Sequence, residues 1–149
     1  MAAIPSPPPP LPEQIYLFVQ HLGRRLRDID LQAGLSPARF SALASLAFHG
    51  PANVGELAQF ERVSRPAMTR LARDMERAGL IRRRPDPQDR RGVRIEPTAR
   101  GLALVEAVRT AKIALVAEHL DRLEPALRAQ AAAVFGALED LAEPQGDET

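Results

Sequence analysis

One segment in the middle of the chain has the residue types and spacing needed to bind a nucleic acid. At about 100° per residue, Arg65, Thr69, Arg70, Arg73 and Arg77 fall on one arc of roughly 140° of a helix. Apolar side chains occupy a separate arc of roughly 120°, and these are Met68, Leu71, Ala72, Met75 and Ala78. An arginine guanidinium can donate two parallel hydrogen bonds to a phosphate or a guanine. One face of this helix can therefore pack on a core while the other binds DNA.

The positive charge of the chain is concentrated around this helix. The 149 residues include 20 Lys+Arg and 19 Asp+Glu, a net charge of +1. Between Arg62 and Arg100, however, 12 arginines stand against five acidic residues, which leaves +7 there and −6 in the rest of the chain. Such a block is typical of a surface that binds a polyanion. Charge alone leaves open a solvated surface with internal ion pairs.

The composition argues against several other kinds of site. The chain has no cysteine, so disulfides, thiolate metal sites and iron–sulfur clusters are excluded. His21, His49 and His119 are too scattered to predict a metal site. Without a phosphate-binding Gly-rich loop or a Gly-x-Ser-x-Gly motif, we expect neither a cofactor nor enzymatic activity. The sequence has no apolar run of about 18 residues and no signal-like start, which predicts a cytoplasmic protein that does not enter a membrane.

The spacing of apolar and helix-capping residues predicts a mainly α chain with one small β-hairpin. Six prolines fall within Pro5 to Pro12, so residues 1–12 are expected to form an extended, disordered arm that cannot be helical. Capping residues and helix breakers then predict the remaining elements. These are helices over residues 13–34 and 36–49, a short helix from Asn53, a helix over 64–78, strands over 80–84 and 92–96, a long helix from Thr98 that Pro125 interrupts, and a last helix.

Two of the predicted features would place arginines against DNA. The third and fourth helices, joined by the turn over residues 60–63, predict a helix-turn-helix whose second helix presents its side chains to base edges. The two strands predict a hairpin wing, and Arg90 and Arg91 in its loop can reach the minor groove, where the negative potential favours arginine. The carboxylate of Asp89 can hold an arginine guanidinium in one geometry.

The same segments carry a family resemblance. Residues 54–58 (VGELA), 63–71 (VSRPAMTRL), 80–83 (LIRR) and 86–92 (DPQDRRG) resemble the helix-turn-helix, strand and wing of the MarR (multiple antibiotic resistance regulator) transcription factors. Thr98 and Gly101 match the Thr-x-x-Gly that opens the next helix in that family. Pro97 departs from the pattern, because the family has an apolar residue there, usually Leu.

The resemblance implies a domain organisation and a set of DNA-binding residues. A single domain over residues 13–143 would contain a winged helix-turn-helix lobe (35–101) and dimerisation helices (13–34 and 102–143), with a polar tail over 144–149. The long apolar stripes of the terminal helices independently favour a homodimer, since they would otherwise remain exposed. The residues implied to bind DNA are Ser64, Arg65, Pro66, Ala67, Thr69, Arg70 and Arg73 in the major groove, and Asp89, Arg90 and Arg91 in the wing.

The implied function is sequence-specific binding of a pseudo-palindromic double-stranded DNA site by a homodimeric transcriptional repressor. Many proteins of the family hold a small aromatic or phenolic effector, and the candidate residues here are His21, Arg24, Arg25, Phe40 and Phe48. Ordinary core and surface roles for these five residues remain open. One alternative function is a winged-helix module that binds protein without specific DNA binding. Another is a helical enzyme or carrier, which no catalytic constellation supports.

Overall fold

A computed structural model of the chain describes residues 8–87 and 92–142. In these residues the order of elements confirms the predicted mainly α fold with one antiparallel hairpin. The elements are α1 (Leu11–Gln32), α2 (Pro37–His49), α3 (Val54–Phe60), α4 (Arg65–Arg77), β1 (Ile81–Pro85), β2 (Val93–Pro97), α5 (Ala99–Leu120) and α6 (Pro125–Ala142). The chain divides into two compact units, residues 1–111 and 112–149, so that α5 runs from the first unit into the second.

The predicted capping residues begin α2 and α3. The Ser36 hydroxyl accepts a hydrogen bond from the Arg39 amide at 3.3 Å at the start of α2. Asn53 begins α3 with a complete capping box, in which its side chain accepts from the Glu56 amide while the Glu56 carboxylate accepts from the Asn53 amide. These contacts satisfy amide groups that have no partner within the helix.

The first helix begins earlier than the sequence predicts. Residues up to Pro12 were expected to be unable to form helix, but α1 begins at Leu11 and takes Pro12 into its first turn. A proline is compatible with this position, since its missing amide would have no helical partner there and its φ is already close to the helical value. The carbonyl of Pro10 accepts hydrogen bonds from the amides of Glu13 and Gln14. Residues 1–7 of the predicted arm lie outside the described residues.

The core of the first unit contains the apolar face of α4. Met68, Ala72 and Met75 are completely buried, and Leu71 and Ala78 pack partly buried against the same core. This confirms the apolar arc predicted for the fourth helix. The other large side chains that are fully buried come from four elements around it, and they are Leu43, Leu46, Leu57, Ile95 and Val108.

The two strands form an antiparallel pair in which Ile81 lies opposite Pro97 and Pro85 opposite Val93. Pro97 is the last residue of β2, where a proline is tolerated because the ladder ends. A third segment joins the hairpin through Ala52, which exchanges both backbone hydrogen bonds with Ile95, at 3.1 and 2.8 Å. The backbone just before α3 is thereby attached to β2.

Thr98 and Gly101 connect the end of the hairpin to the turn after α4. The Thr98 hydroxyl donates to the carbonyl of Gly79 at 2.7 Å and accepts from the Gly101 amide at 3.1 Å. The Thr98 amide donates to the carbonyl of Leu80 at 2.9 Å. A Cβ at position 101 would lie 2.1 Å from that same carbonyl oxygen. The spacing Thr-x-x-Gly therefore places a capping hydroxyl and a residue without a side chain against one turn.

Large apolar side chains remain exposed in each unit. In the first unit many of them lie along α1, including Leu11, Ile15, Tyr16, Phe18 and Val19. In the second unit those of α6 are Leu127, Val134, Phe135 and Leu138. No helix among the described residues is both long and apolar enough to cross a membrane.

Candidate nucleic-acid interface

Helix α4 follows the short helix α3 after a tight turn and has one face exposed to solvent. Helix α3 packs against α4, and the chain turns between them over residues 61–64. The Ser64 hydroxyl accepts from the Ala67 amide at 3.4 Å and so begins α4. Because the apolar arc of α4 is buried, the arc that carries arginines faces away from the core.

Three arginines on this outer arc keep their charge uncompensated. Arg65, Arg70 and Arg73 are exposed, and in the part of the chain that the structure describes their side chains have no hydrogen-bond or ion-pair partner. Arg77, at the end of the same helix, instead pairs with Asp74. Asp74 also lies 4.0 Å from Arg39 on α2. The free cationic groups are therefore those of the first and middle turns, which are the part of a recognition helix that contacts base edges.

The remaining residues predicted on α4 have local structural roles. Thr69 is half-buried and its hydroxyl donates to the carbonyl of Arg65 at 2.8 Å. Pro66 occupies the first turn, which suits its fixed φ, and is exposed. Ala67 is half-buried, and Ser64 is the exposed N-cap. The structure thus brings the seven predicted α4 residues together at the start and on the outer side of one helix.

The arginines of β1 are neutralised within the fold. Arg82 and Arg84 both contact one oxygen of Glu96, at 2.5 and 2.6 Å. The hydrogen bond from Arg82, assisted by the one from Arg84 and by both positive charges, lowers the pKa of the Glu96 carboxyl. Arg83 points to the other side of the hairpin and pairs with Glu76 of α4 at 2.9 Å. The strand arginines therefore add less to the positive electrostatic potential of the protein surface than their number indicates.

The base of the wing is attached to the helix-turn-helix through Arg94. Its guanidinium lies 3.4 Å from Glu56, the same carboxylate oxygen that accepts from the Asn53 amide, and 4.0 Å from Asp86. The sequence predicts no role for Arg94. Glu56 and Arg94 are 38 positions apart, and no local pattern indicates such a pair. Asp89, Arg90 and Arg91, predicted to contact DNA from the wing, lie outside the described residues.

Comparison with known proteins decides the family. The MarR family model matches residues 35–93. A curated relative, an uncharacterized HTH-type transcriptional regulator of Mycobacterium leprae, is 36% identical over 110 residues that cover 74% of this chain and 77% of the relative. The chain belongs to the MarR family. The HTH-type transcriptional repressor MdtR of Bacillus subtilis is 31% identical over 137 residues, which cover 89% of this chain and 88% of MdtR.

Solved structures agree with the fold of this MarR protein. The YusO protein of Bacillus subtilis has a TM-score of 0.77 at 28% identity, covering 89% of this chain and 94% of YusO. The unit formed by α2–α4 and the hairpin is accordingly the winged helix-turn-helix of a transcriptional regulator. The predicted recognition helix and wing strands are confirmed as elements of the fold.

The five residues predicted to bind an effector lie on α1 and α2 of this MarR chain. His21, Arg24 and Arg25 are exposed on α1. Phe40 packs partly buried against the core, whereas Phe48 is 85% exposed on the same helix. No group of three or more potential metal-ligating side chains occurs among the described residues.

Proposed function

We propose that this MarR protein is a homodimeric repressor that binds a pseudo-palindromic operator through Arg65, Arg70 and Arg73 of each recognition helix. The observation that carries the proposal is the outer face of α4, where these three exposed guanidinium groups have no partner among the described residues. An arginine that folding leaves unpaired can exchange its hydration for a phosphate or guanine without first breaking an ion pair.

The wing completes the proposed interface. The backbone bridge between Ala52 and Ile95 and the contact of Arg94 with Glu56 attach the hairpin to the segment that leads into α3. A hairpin held in this way can follow the recognition helix onto the duplex as one body. We propose that Asp89, Arg90 and Arg91 then contact the adjacent minor groove, where arginine is favoured.

The exposed apolar faces of α1 and α6 support a homodimer. Ile15 and Phe18 on α1, and Val134 and Phe135 on α6, expose large side chains in a single protomer. Contiguous apolar surface of this kind is unfavourable in water unless a partner covers it. A two-fold dimer would place the two recognition helices about one helical turn of DNA apart, roughly 34 Å. The expected operator is therefore a pseudo-palindrome whose half-sites have that spacing.

We infer that a small aromatic or phenolic effector releases the repressor by shifting the dimer toward a state in which both helices cannot reach their half-sites. His21, Arg24, Arg25, Phe40 and Phe48 remain the proposed effector-binding residues. The name of the relative MdtR supports repression as the direction of control. An effector must weaken operator binding and, by linkage, bind more weakly to the DNA-bound protein. A regulator of this kind acts in the cytoplasm, and we propose no enzymatic activity.

The test measures, by fluorescence anisotropy at two salt concentrations, how tightly the dimer binds two duplexes. One is the DNA upstream of its own gene, and the other is a scrambled duplex of equal length. We expect tighter binding to the native sequence and a steep loss of affinity with salt. Arg70→Ala and Arg73→Ala should each weaken operator binding by roughly 1–3 kcal/mol. Arg77→Ala is the matched control, since this arginine is on the same helix but already pairs with Asp74.

The alternative, a module that binds protein without specific DNA binding, predicts a different result. The proposed function would be contradicted if the protein bound both duplexes equally and weakly and none of the three substitutions changed this binding. An equal loss in all three variants would instead indicate a general effect of charge and would remove the special role of Arg70 and Arg73.

A further inference from the structure

The turn of the helix-turn-helix contains a residue in an unfavourable backbone conformation. Arg62 has φ 52°, and it is the one non-glycine residue with positive φ in the part of the chain that the structure describes. The Arg62 amide donates to the carbonyl of Gln59 at 3.1 Å, and the Val63 amide donates to the carbonyl of Ala58 at 3.0 Å. These two bonds are the Schellman arrangement that ends a helix, and Arg62 occupies the left-handed position that usually requires glycine.

Among the described residues, two other helices end in the same kind of turn, and both have glycine at this position. Gly34 follows α1 and Gly79 follows α4, each with positive φ and the same pair of backbone hydrogen bonds. At α3 the same turn contains an arginine, whose Cβ makes the left-handed region less favourable. Folding alone therefore favours glycine at position 62, and the side chain present there requires another explanation.

The Arg62 side chain has no partner that explains it within the fold. It is exposed, and among the described residues it makes no ion pair or side-chain hydrogen bond. The neighbouring carboxylate of Glu61 is directed elsewhere, since it accepts a hydrogen bond from Ser45 on α2 at 2.5 Å. Three positions further on, Arg65 is also exposed and unpaired among the described residues.

We propose that Arg62 is a DNA-backbone anchor whose guanidinium binds a phosphate beside the groove that α4 enters. The proposal rests on the proposed function, because it assumes that α4 faces DNA. Arg62 lies in the turn that precedes the recognition helix, outside the arc that can reach base edges. Groups in such positions contact phosphate oxygens and fix the register of the protein without reading the sequence. The unfavourable backbone conformation is then retained because the guanidinium gains an anionic partner in the complex.

Three substitutions separate the charge from the backbone effect. Arg62→Gly removes the charge and relieves the left-handed conformation, so its melting temperature should equal or exceed that of the wild type, while its DNA affinity falls roughly tenfold at moderate salt. Arg62→Gln should lose the same affinity without the gain in melting temperature, and Arg62→Lys should retain most of it. The loss should be equal for operator and scrambled DNA. Since a dimer would lose two phosphate contacts, the negative slope of log K against log salt should become shallower by about 1.8.

Arg109→Gln is the matched control. It removes the same charge from an exposed arginine on α5 that pairs with Glu106 at 3.4 Å, and we expect its salt slope to stay that of the wild type. Unchanged affinity and slope in both Arg62→Gly and Arg62→Gln, beside a wild type that binds its operator, would overturn the anchor and leave the proposed function standing. A wild type that binds neither duplex would overturn both proposals. A loss of affinity confined to operator DNA would also refute the anchor, because a phosphate contact is independent of sequence.

Discussion

Replacement of Gly101 by alanine should destabilise the winged lobe, although alanine is the better helix former. The new Cβ would lie 2.1 Å from the carbonyl oxygen of Leu80 and 3.2 Å from Cδ1 of Leu43. The backbone at Leu80 would have to move by about 1 Å to reach an ordinary contact distance. That carbonyl accepts the Thr98 amide at 2.9 Å and also lies 3.2 Å from the Thr98 hydroxyl, so the movement disturbs both contacts.

The magnitude follows from three opposing contributions. Two weakened hydrogen bonds cost roughly 0.5–1.5 kcal/mol each. Overpacking at a buried position costs roughly 1–3 kcal/mol. Alanine recovers about 1 kcal/mol relative to glycine within a helix. The free energy of unfolding should therefore fall by about 3 kcal/mol, which corresponds to roughly 10 °C in melting temperature for a chain of this size.

The assay is thermal and urea unfolding of Gly101→Ala at a fixed protomer concentration, because the stability of a dimer depends on concentration. Gly23→Ala on α1 is the matched control, since the nearest atom to its new Cβ is the flexible end of Arg27 at 3.5 Å. This control should be unchanged or more stable by up to about 1 kcal/mol. If Gly101→Ala unfolded at the same temperature as the wild type, or at a higher one, the close approach to Leu80 would not be the reason for glycine at this position.

Two further predictions concern the hairpin and the dimer. Because Arg82 and Arg84 lower the pKa of Glu96 in the folded state, its contribution to stability is present above the ordinary glutamate pKa and is lost as the pH falls through the lowered one. Glu96→Gln should therefore reduce the stability difference between about pH 6 and pH 3, measured by urea unfolding, and an unaltered pH profile would refute this. Phe135 is an apolar side chain of α6 that is 57% exposed in the protomer. Its replacement by a charged side chain in Phe135→Glu should yield monomers in sedimentation and weaken operator binding. Gln130→Glu on an exposed position of the same helix is its control, and a dimeric Phe135→Glu would exclude this face from the interface.

Local signals predict much of this fold because their physical causes are local. Ser36, Asn53 and Ser64 each begin a helix where the sequence places a capping side chain, and the burial of Met68 and Met75 follows from helical periodicity alone. The start of α1 differs from the prediction because the last proline of the run is compatible with a first helical turn, so the run is not one extended segment.

Pairings between distant residues could not be predicted in the same way. The contact of Arg94 with Glu56 depends on the hairpin folding back onto α3, which no spacing in the sequence encodes. The left-handed turn at Arg62 is likewise not predictable from the sequence, because the usual signal for that conformation is a glycine. A turn of suitable length between two helices, without a glycine, is a weaker sign of the same geometry.

The pairing of charges explains why the +7 block is a poor guide to the interface by itself. Folding places acidic groups against the arginines at positions 77, 82, 83, 84 and 94. Among the described residues the arginines at positions 62, 65, 70, 73 and 100 remain without an ion-pair partner. Four of these five belong to the turn and outer face of the helix-turn-helix. A net positive charge attracts DNA from any direction, whereas four unpaired groups on one face would favour one orientation of the protein on the duplex. In the proposed complex this orientation brings the side chains of α4 to base edges. The ion pairs of the hairpin would then contribute to specificity, because they leave the uncompensated positive charge on the turn and the outer face of α4.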